Sequence, residues 1–162
     1  MKKLYGILML AIVISFACFS QTEAESIGGI SLGMSREEVV ARYGNPAVVM
    51  NERQYEYYTG SYVGGVEAYP NGLAVYYKGG EVERVAMIRT QRYDRRFDNT
   101  GLGLNNTYAD FSNTYPAFRR LSYDSRDKAY YGAFKTDTTG EYMWVHIVNG
   151  RFMGIELNNY NN

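Results

Sequence analysis

His146 is the only histidine of the chain, and imidazole is the side chain whose unperturbed charge change falls near neutral pH. To act as a general base it would need a positioned nucleophile or an orienting carboxylate, and Glu141 and Glu156 are the acids in sequence reach. One histidine cannot build a histidine-rich metal site, and the single cysteine, Cys18, lies close to the start, so neither a metal nor a cofactor is expected. The glycines fall in turns and helix ends, without a phosphate-cradling loop or a nucleophile elbow. A strand histidine among aromatics is a contact residue more often than a base, so the expectation is a non-enzyme. The richer chemistry is aromatic: the chain holds 17 tyrosines and one tryptophan, residues that give large contact area at small rotamer cost.

Strand alternation sorts those aromatics into faces. Leu73, Val75 and Tyr77 alternate with Ala74, Tyr76 and Lys78, and Met143, Val145 and Ile147 alternate with Trp144, His146 and Val148. The apolar set should face helices, which leaves Tyr76, Trp144 and His146 on an open face. Tyr57 and Tyr142 complete the candidate binding set, with Tyr55 and Tyr130 joining according to register. The competing reading is that cross-strand aromatic pairs simply stabilise the sheet.

The elements that would carry these residues repeat at an offset of 70. Leu32-Gly33-Met34-Ser35 returns as Leu102-Gly103-Leu104-Asn105, Pro46-Ala47 as Pro116-Ala117, and Val75 to Met87 as Val145 to Leu157. Self-similarity at a fixed period marks duplicated structural units. In the first unit Ser35 and Glu38 form a capping box, Met34 and Val39 a hydrophobic staple, and Gly44-Asn45-Pro46 a stop, which predicts a helix over Arg36–Tyr43. In the second, Asn105 is the expected N-cap, with Leu104 against Ala109. Strands are expected over Ala47–Met50, Gln54–Tyr58, Tyr62–Tyr69, Leu73–Lys78 and Glu81–Thr90. Lys78-Gly79-Gly80-Glu81 and Val148-Asn149-Gly150-Arg151 read as tight hairpin turns. The fold class is therefore α+β: two tandem helix-plus-antiparallel-sheet repeats, residues 25–91 and 101–162, either sharing one continuous curved sheet or packed face to face. The connector 92–100, with Arg92, Arg95 and Arg96 near Asp94 and Asp98, reads as a solvated linker.

Residues 1–24 have the form of a removable export signal: Met1-Lys2-Lys3, an apolar run from Leu4 to Phe19, then a small polar region. Cleavage after Ala24 competes with lipoprotein processing at Cys18, which would leave a lipid anchor. The run is too short to predict a membrane span. Removing Lys2, Lys3 and Glu23 from 17 basic and 17 acidic residues leaves fifteen and sixteen, a balance that argues against a nucleic-acid partner. A mature chain without cysteine is held by burial alone, and 46% of the residues are apolar.

Gly33-Met34-Ser35-Arg36-Glu37-Glu38-Val39 with Tyr43-Gly44-Asn45-Pro46 resembles the helix opening of the superfamily that contains the beta-lactamase inhibitor protein and the outer-membrane assembly lipoprotein BamE (SmpA/OmlA). The tandem layout is more similar to the inhibitor. The resemblance implies a curved sheet whose open face grips a target, and covers nearly the whole mature chain. The expected function is thus a secreted or periplasmic bacterial module that binds another protein of the envelope or medium. The alternative is a structural or assembly (lipo)protein of the cell envelope.

Overall fold

Ser35 accepts the Glu38 amide while Glu38 reaches back to the Ser35 amide, so the first helix starts where its capping box predicts. In the computed structural model, which describes residues 24–136 and 140–159, this helix, α1, runs Arg36–Tyr43 and stops at Gly44, whose φ of 76° suits glycine. Met34 and Val39 both join the core, as a staple requires. The expected signal, Cys18 included, lies outside the described residues except for Ala24.

Eight strands form one open antiparallel sheet: β1 Val48–Met50, β2 Val66–Tyr69, β3 Leu73–Lys78, β4 Glu81–Ile88, β5 Ala117–Asp124, β6 Ala129–Lys135, β7 Glu141–Val148 and β8 Arg151–Asn159. Their order is β1-β2-β3-β4-β8-β7-β6-β5, two four-stranded meanders joined edge to edge at β4 and β8, with Val85 opposite Leu157. Both expected hairpins are present. Lys78 pairs with Glu81 around Gly79 and Gly80 (φ 64° and 88°), and Val148 with Arg151 around Asn149 and Gly150 (φ 51° and 72°), the positive dihedrals a two-residue hairpin turn needs.

Four departures from the sequence reading matter. Gln54–Tyr58 is not a strand but the body of a helix, α2, over Glu52–Thr59. Asn51 and Gln54 form its capping box, Gly60 ends it at φ 72°, and Tyr55 and Thr59, one turn apart, are its buried face. Of Tyr62–Tyr69 only Val66–Tyr69 pairs with a neighbour. The third helix, α3, runs Tyr108–Thr114 with Thr107, not Asn105, as N-cap, because Asp110 three residues on completes a box with Thr107. Leu104 is buried without Ala109, which is exposed; Phe111 takes the inward position instead. Nor is the connector merely solvated: Phe97 is buried in the core, and Arg95 reaches Tyr43 and the Pro70 carbonyl.

The main core lies between α1, α3 and one face of the sheet, where Val39 and Phe111 meet Leu73, Val75, Met87, Met143, Val145, Ile155 and Leu157. The predicted apolar set therefore does face helices. Phe111 is its hub, with ring centroids 5.0 Å from Phe152, 6.0 Å from Phe134 and 6.3 Å from Phe97. A smaller cluster on the opposite face gathers Met50, Tyr55, Val66, Ala74, Ala86 and Ile88 around α2. No helix among the described residues is long and apolar enough to cross a membrane.

Candidate functional site

The face expected to be open is crossed by α2. A helix leaves its last carbonyls without intrahelical partners, and at the end of α2 two of them are met by strand β7. His146 Nδ1 donates to the Tyr58 carbonyl at 2.9 Å, and Trp144 Nε1 donates to the Thr59 carbonyl at 3.0 Å. Gly60 donates its own amide to the Glu56 carbonyl at 2.7 Å. Trp144 and His146 thus do share a face, as their alternation predicts, but that face is covered there, and His146 is only 5% exposed.

The seat beneath the helix end is shaped for close approach. A Cβ on Gly154 would stand 2.6 Å from the Tyr58 carbonyl oxygen, and one on Gly60 would stand 2.3 Å from the Tyr131 ring. Tyr131 lies opposite His146 in the ladder and stacks on it at 4.8 Å and 2°, with Trp144 stacked beyond at 5.9 Å. Tyr131, not the Tyr130 expected from sequence, is the ring on this face. A shift of one residue along a strand exchanges faces, and Tyr130 packs 4.9 Å from Tyr123 on the other.

The middle of α2 is tied to the sheet by charge. Glu156 is fully buried, and it accepts from the Tyr55 hydroxyl at 2.8 Å, Arg84 Nη1 at 3.0 Å and Asn158 Nδ2 at 2.9 Å. Burial first, and the Glu156 carboxylate second, raise the Tyr55 phenol well above its ordinary value, so it remains a donor. Glu156 therefore serves as an anchor and not as a partner of His146. Glu141 accepts from Thr136, so the other acid in sequence reach is also engaged elsewhere.

His146, though buried, also lines a depression in the surface. A carbonyl can only accept, so Nδ1 carries the proton and Nε2 is the free acceptor of the neutral ring. Burial lowers the His146 pKa; the Tyr58 bond and Asp127 act against that. Beside it lies a depression of about 850 Å³ between α2 and the ends of β6, β7 and β8. Arg53, Glu56 and Tyr57 of α2 form one wall, and Tyr131, His146, Arg151 and Met153 form the other, with Asp127 and Asn149 at the turns. Burial and then Asp127 push the Tyr131 phenol up to about 12, and its hydroxyl donates to Asp127 at 3.3 Å. With Arg89 also in the lining, three guanidinium groups and two carboxylates surround aromatic walls, a lining suited to polar and aromatic contact with a polypeptide.

Of the residues selected from sequence, Tyr57, 64% exposed, and His146 meet in this depression, and Trp144 lies one ring behind it. Tyr76 packs against the small cluster beside α2, and Tyr142 lies 6.1 Å from Phe118 toward the far edge. Tyr55 is buried under the helix. Sequence reasoning missed Arg53, Glu56 and Arg151, which gain meaning only once residues 52–59 are a helix; the Asn51 to Gln54 capping box was the available signal. Among the described residues no cluster of acidic, histidine or cysteine side chains could hold a metal ion. No protein-family model matches this chain, and neither a curated protein nor a solved structure matches it.

Proposed function

We propose that this chain is an exported, non-enzymatic binding module that engages another protein of the envelope or medium through the depression between α2 and β6 to β8. The observation that carries the reading is the exposed Tyr57 lining one depression with the Tyr131–His146 stack, among three arginines and two carboxylates. Aromatic and arginine side chains around a concave centre are the composition of binding hot spots. His146 spends its one N–H on holding α2, leaving Nε2 to accept a hydrogen bond from a ligand.

We read the two meanders as descendants of one duplicated unit. In support, their order is mirrored about the β4–β8 seam. The register irregularity between Tyr76 and Tyr77 returns, 70 residues on, between His146 and Ile147. A capping box opens α1 and another opens α3. The likeness to the beta-lactamase inhibitor superfamily remains part of this proposal, with the binding surface moved from the bare sheet to the rim of α2.

The test is affinity capture from the producing cell's envelope and medium, with mature protein beside a Tyr57→Ala, Arg151→Ala variant whose fold is checked by circular dichroism. Trp144 is unsuitable as the probe because its loss would unhook α2. A protein retained by the parent and lost by the variant supports the reading. Identical captures from both refute it.

A further inference from the structure

Glu25 is buried to 3% exposure, a rare place for a carboxylate. The Tyr115 hydroxyl donates to its Oε1, and Tyr115 is itself bonded to Thr100 Oγ1 at 2.8 Å. Its second oxygen, Oε2, is buried without a hydrogen-bond partner. The amides of Asn99 and Ser26 lie near enough to favour the ionised form, yet burial outweighs them and raises the carboxyl above its ordinary value. Asp98 adds a second negative charge felt by Glu25. It is fixed in place because Ser26 Oγ and the Gly29 amide both donate to its Oδ2, while its own amide donates to the Ser26 carbonyl at 3.0 Å.

Glu25 is therefore a buried carboxyl with no basic side chain paired to it among the described residues, and the negative charge it feels from Asp98 comes from an exposed neighbour. None of the ion pairs among the described residues involves either acid. The nearest basic side chains in sequence are turned away: Arg96 donates to the Gly101 carbonyl and Arg95 to Tyr43 and the Pro70 carbonyl. An unbalanced buried charge is costly.

We propose that this is a binding site for the α-ammonium group of Glu25 itself, created when the Ala24–Glu25 bond is cut. The inference rests on the exported reading, with cleavage after Ala24. Hydrolysis of that bond places a positive charge on the Glu25 nitrogen, one residue from the Ser26 groups that grip Asp98 and on the same residue as the orphaned Oε2. Ala24 is exposed while Glu25 is buried, and the Ala24 carbonyl accepts from Asn99 Nδ2 at 3.4 Å, a contact that the cut would release. The ammonium is the cation that the buried Glu25 carboxyl lacks among the described residues, and the mature start is locked into the core side of the connector rather than left as a free tail.

The experiment compares three otherwise identical chains: one starting at Glu25 with a free amine, one starting at Glu25 but Nα-acetylated, and one retaining Glu23-Ala24. Urea unfolding is followed from pH 6 to pH 10, and the α-amino pKa is read by NMR. The free-amine chain should have an unfolding equilibrium constant about tenfold smaller than either blocked chain at pH 7, the equivalent of one pKa unit. Its α-amino pKa should rise above the ordinary ~7.7–8.0. The advantage is full below that unfolded-state value and disappears as pH rises through the folded one. Glu25→Gln with Asp98→Asn should erase the difference between free and acetylated chains. Equal stability of all three chains, or an ordinary α-amino pKa, overturns the site. Mass spectrometry of the protein from its producing cell tests the exported reading separately: a start at Glu25 supports it, and a start elsewhere overturns that reading and the site's use together.

Discussion

The two meanders differ most where each one begins. The second opens with two long strands, β5 and β6, of eight and seven residues, joined by a short turn. In the first, β1 has only three residues and β2 four, and the chain between them is spent on α2. That helix does not serve its own meander alone. Its end sits on β7 and β8, so the first half supplies a cover for the second. Two halves with mirrored strand order can thus carry different surfaces. Sheet order is set by a shared pattern of hairpins, whereas the surface is set by what each half does with one loop.

The largest break in this comparison is Glu156→Ala. It leaves Arg84 and Tyr55 without their shared carboxylate and should cost about 3–5 kcal/mol in chemical denaturation, the range for breaking a buried ion pair. A loss no larger than that of an exposed substitution would mean that α2 is not anchored across the halves. Gly154→Ala should follow at about 1–3 kcal/mol, because the new methyl meets the Tyr58 carbonyl of a packed helix end. Trp144→Phe removes one donor to the end of α2 and should cost roughly 1 kcal/mol. Its sharper readout is amide exchange, which should quicken within Glu52–Thr59 and stay unchanged across β5 and β6.

The smallest effect is a pH dependence. His146 has its pKa lowered by burial from 6.5, so the unfolded chain takes up the proton first on acidification. Its contribution is present above pH 6.5 and is lost as pH falls through the folded value. Urea midpoints should fall from pH 7.5 to pH 5, less steeply in His146→Gln. Equal slopes would show that the imidazole is no drier than the unfolded chain.

What was legible in the sequence was legible locally. Ser35 with Glu38, Gly79-Gly80 and Asn149-Gly150 carry their own geometry, so α1 and both hairpins could be placed in advance. Alternation likewise sorted Val145 from Trp144 and His146. Tyr55 and Tyr57 misled because tyrosines two apart imitate a strand, and tyrosine favours strands. The cap pair Asn51 and Gln54 outweighs that preference in the fold. The end-capping role of Trp144 and His146 was out of reach for a stronger reason: it involves partners 85 and 88 residues away. The site was therefore partly readable: His146 on β7 and Tyr57 on α2 were selected, while Tyr131 on β6 and Arg53 and Glu56 on α2 were not.

The seam between β4 and β8 also sets an order of events. Val85 waits for Leu157, and β8 is the last of the eight strands to leave the ribosome. Until it arrives, β4 and β7 both present bare edges and the two meanders have no common sheet. Closing so long a loop is slow compared with forming hairpins, so the chain stays unassembled through most of its synthesis. The common sheet is thus sealed by the strand that is made last.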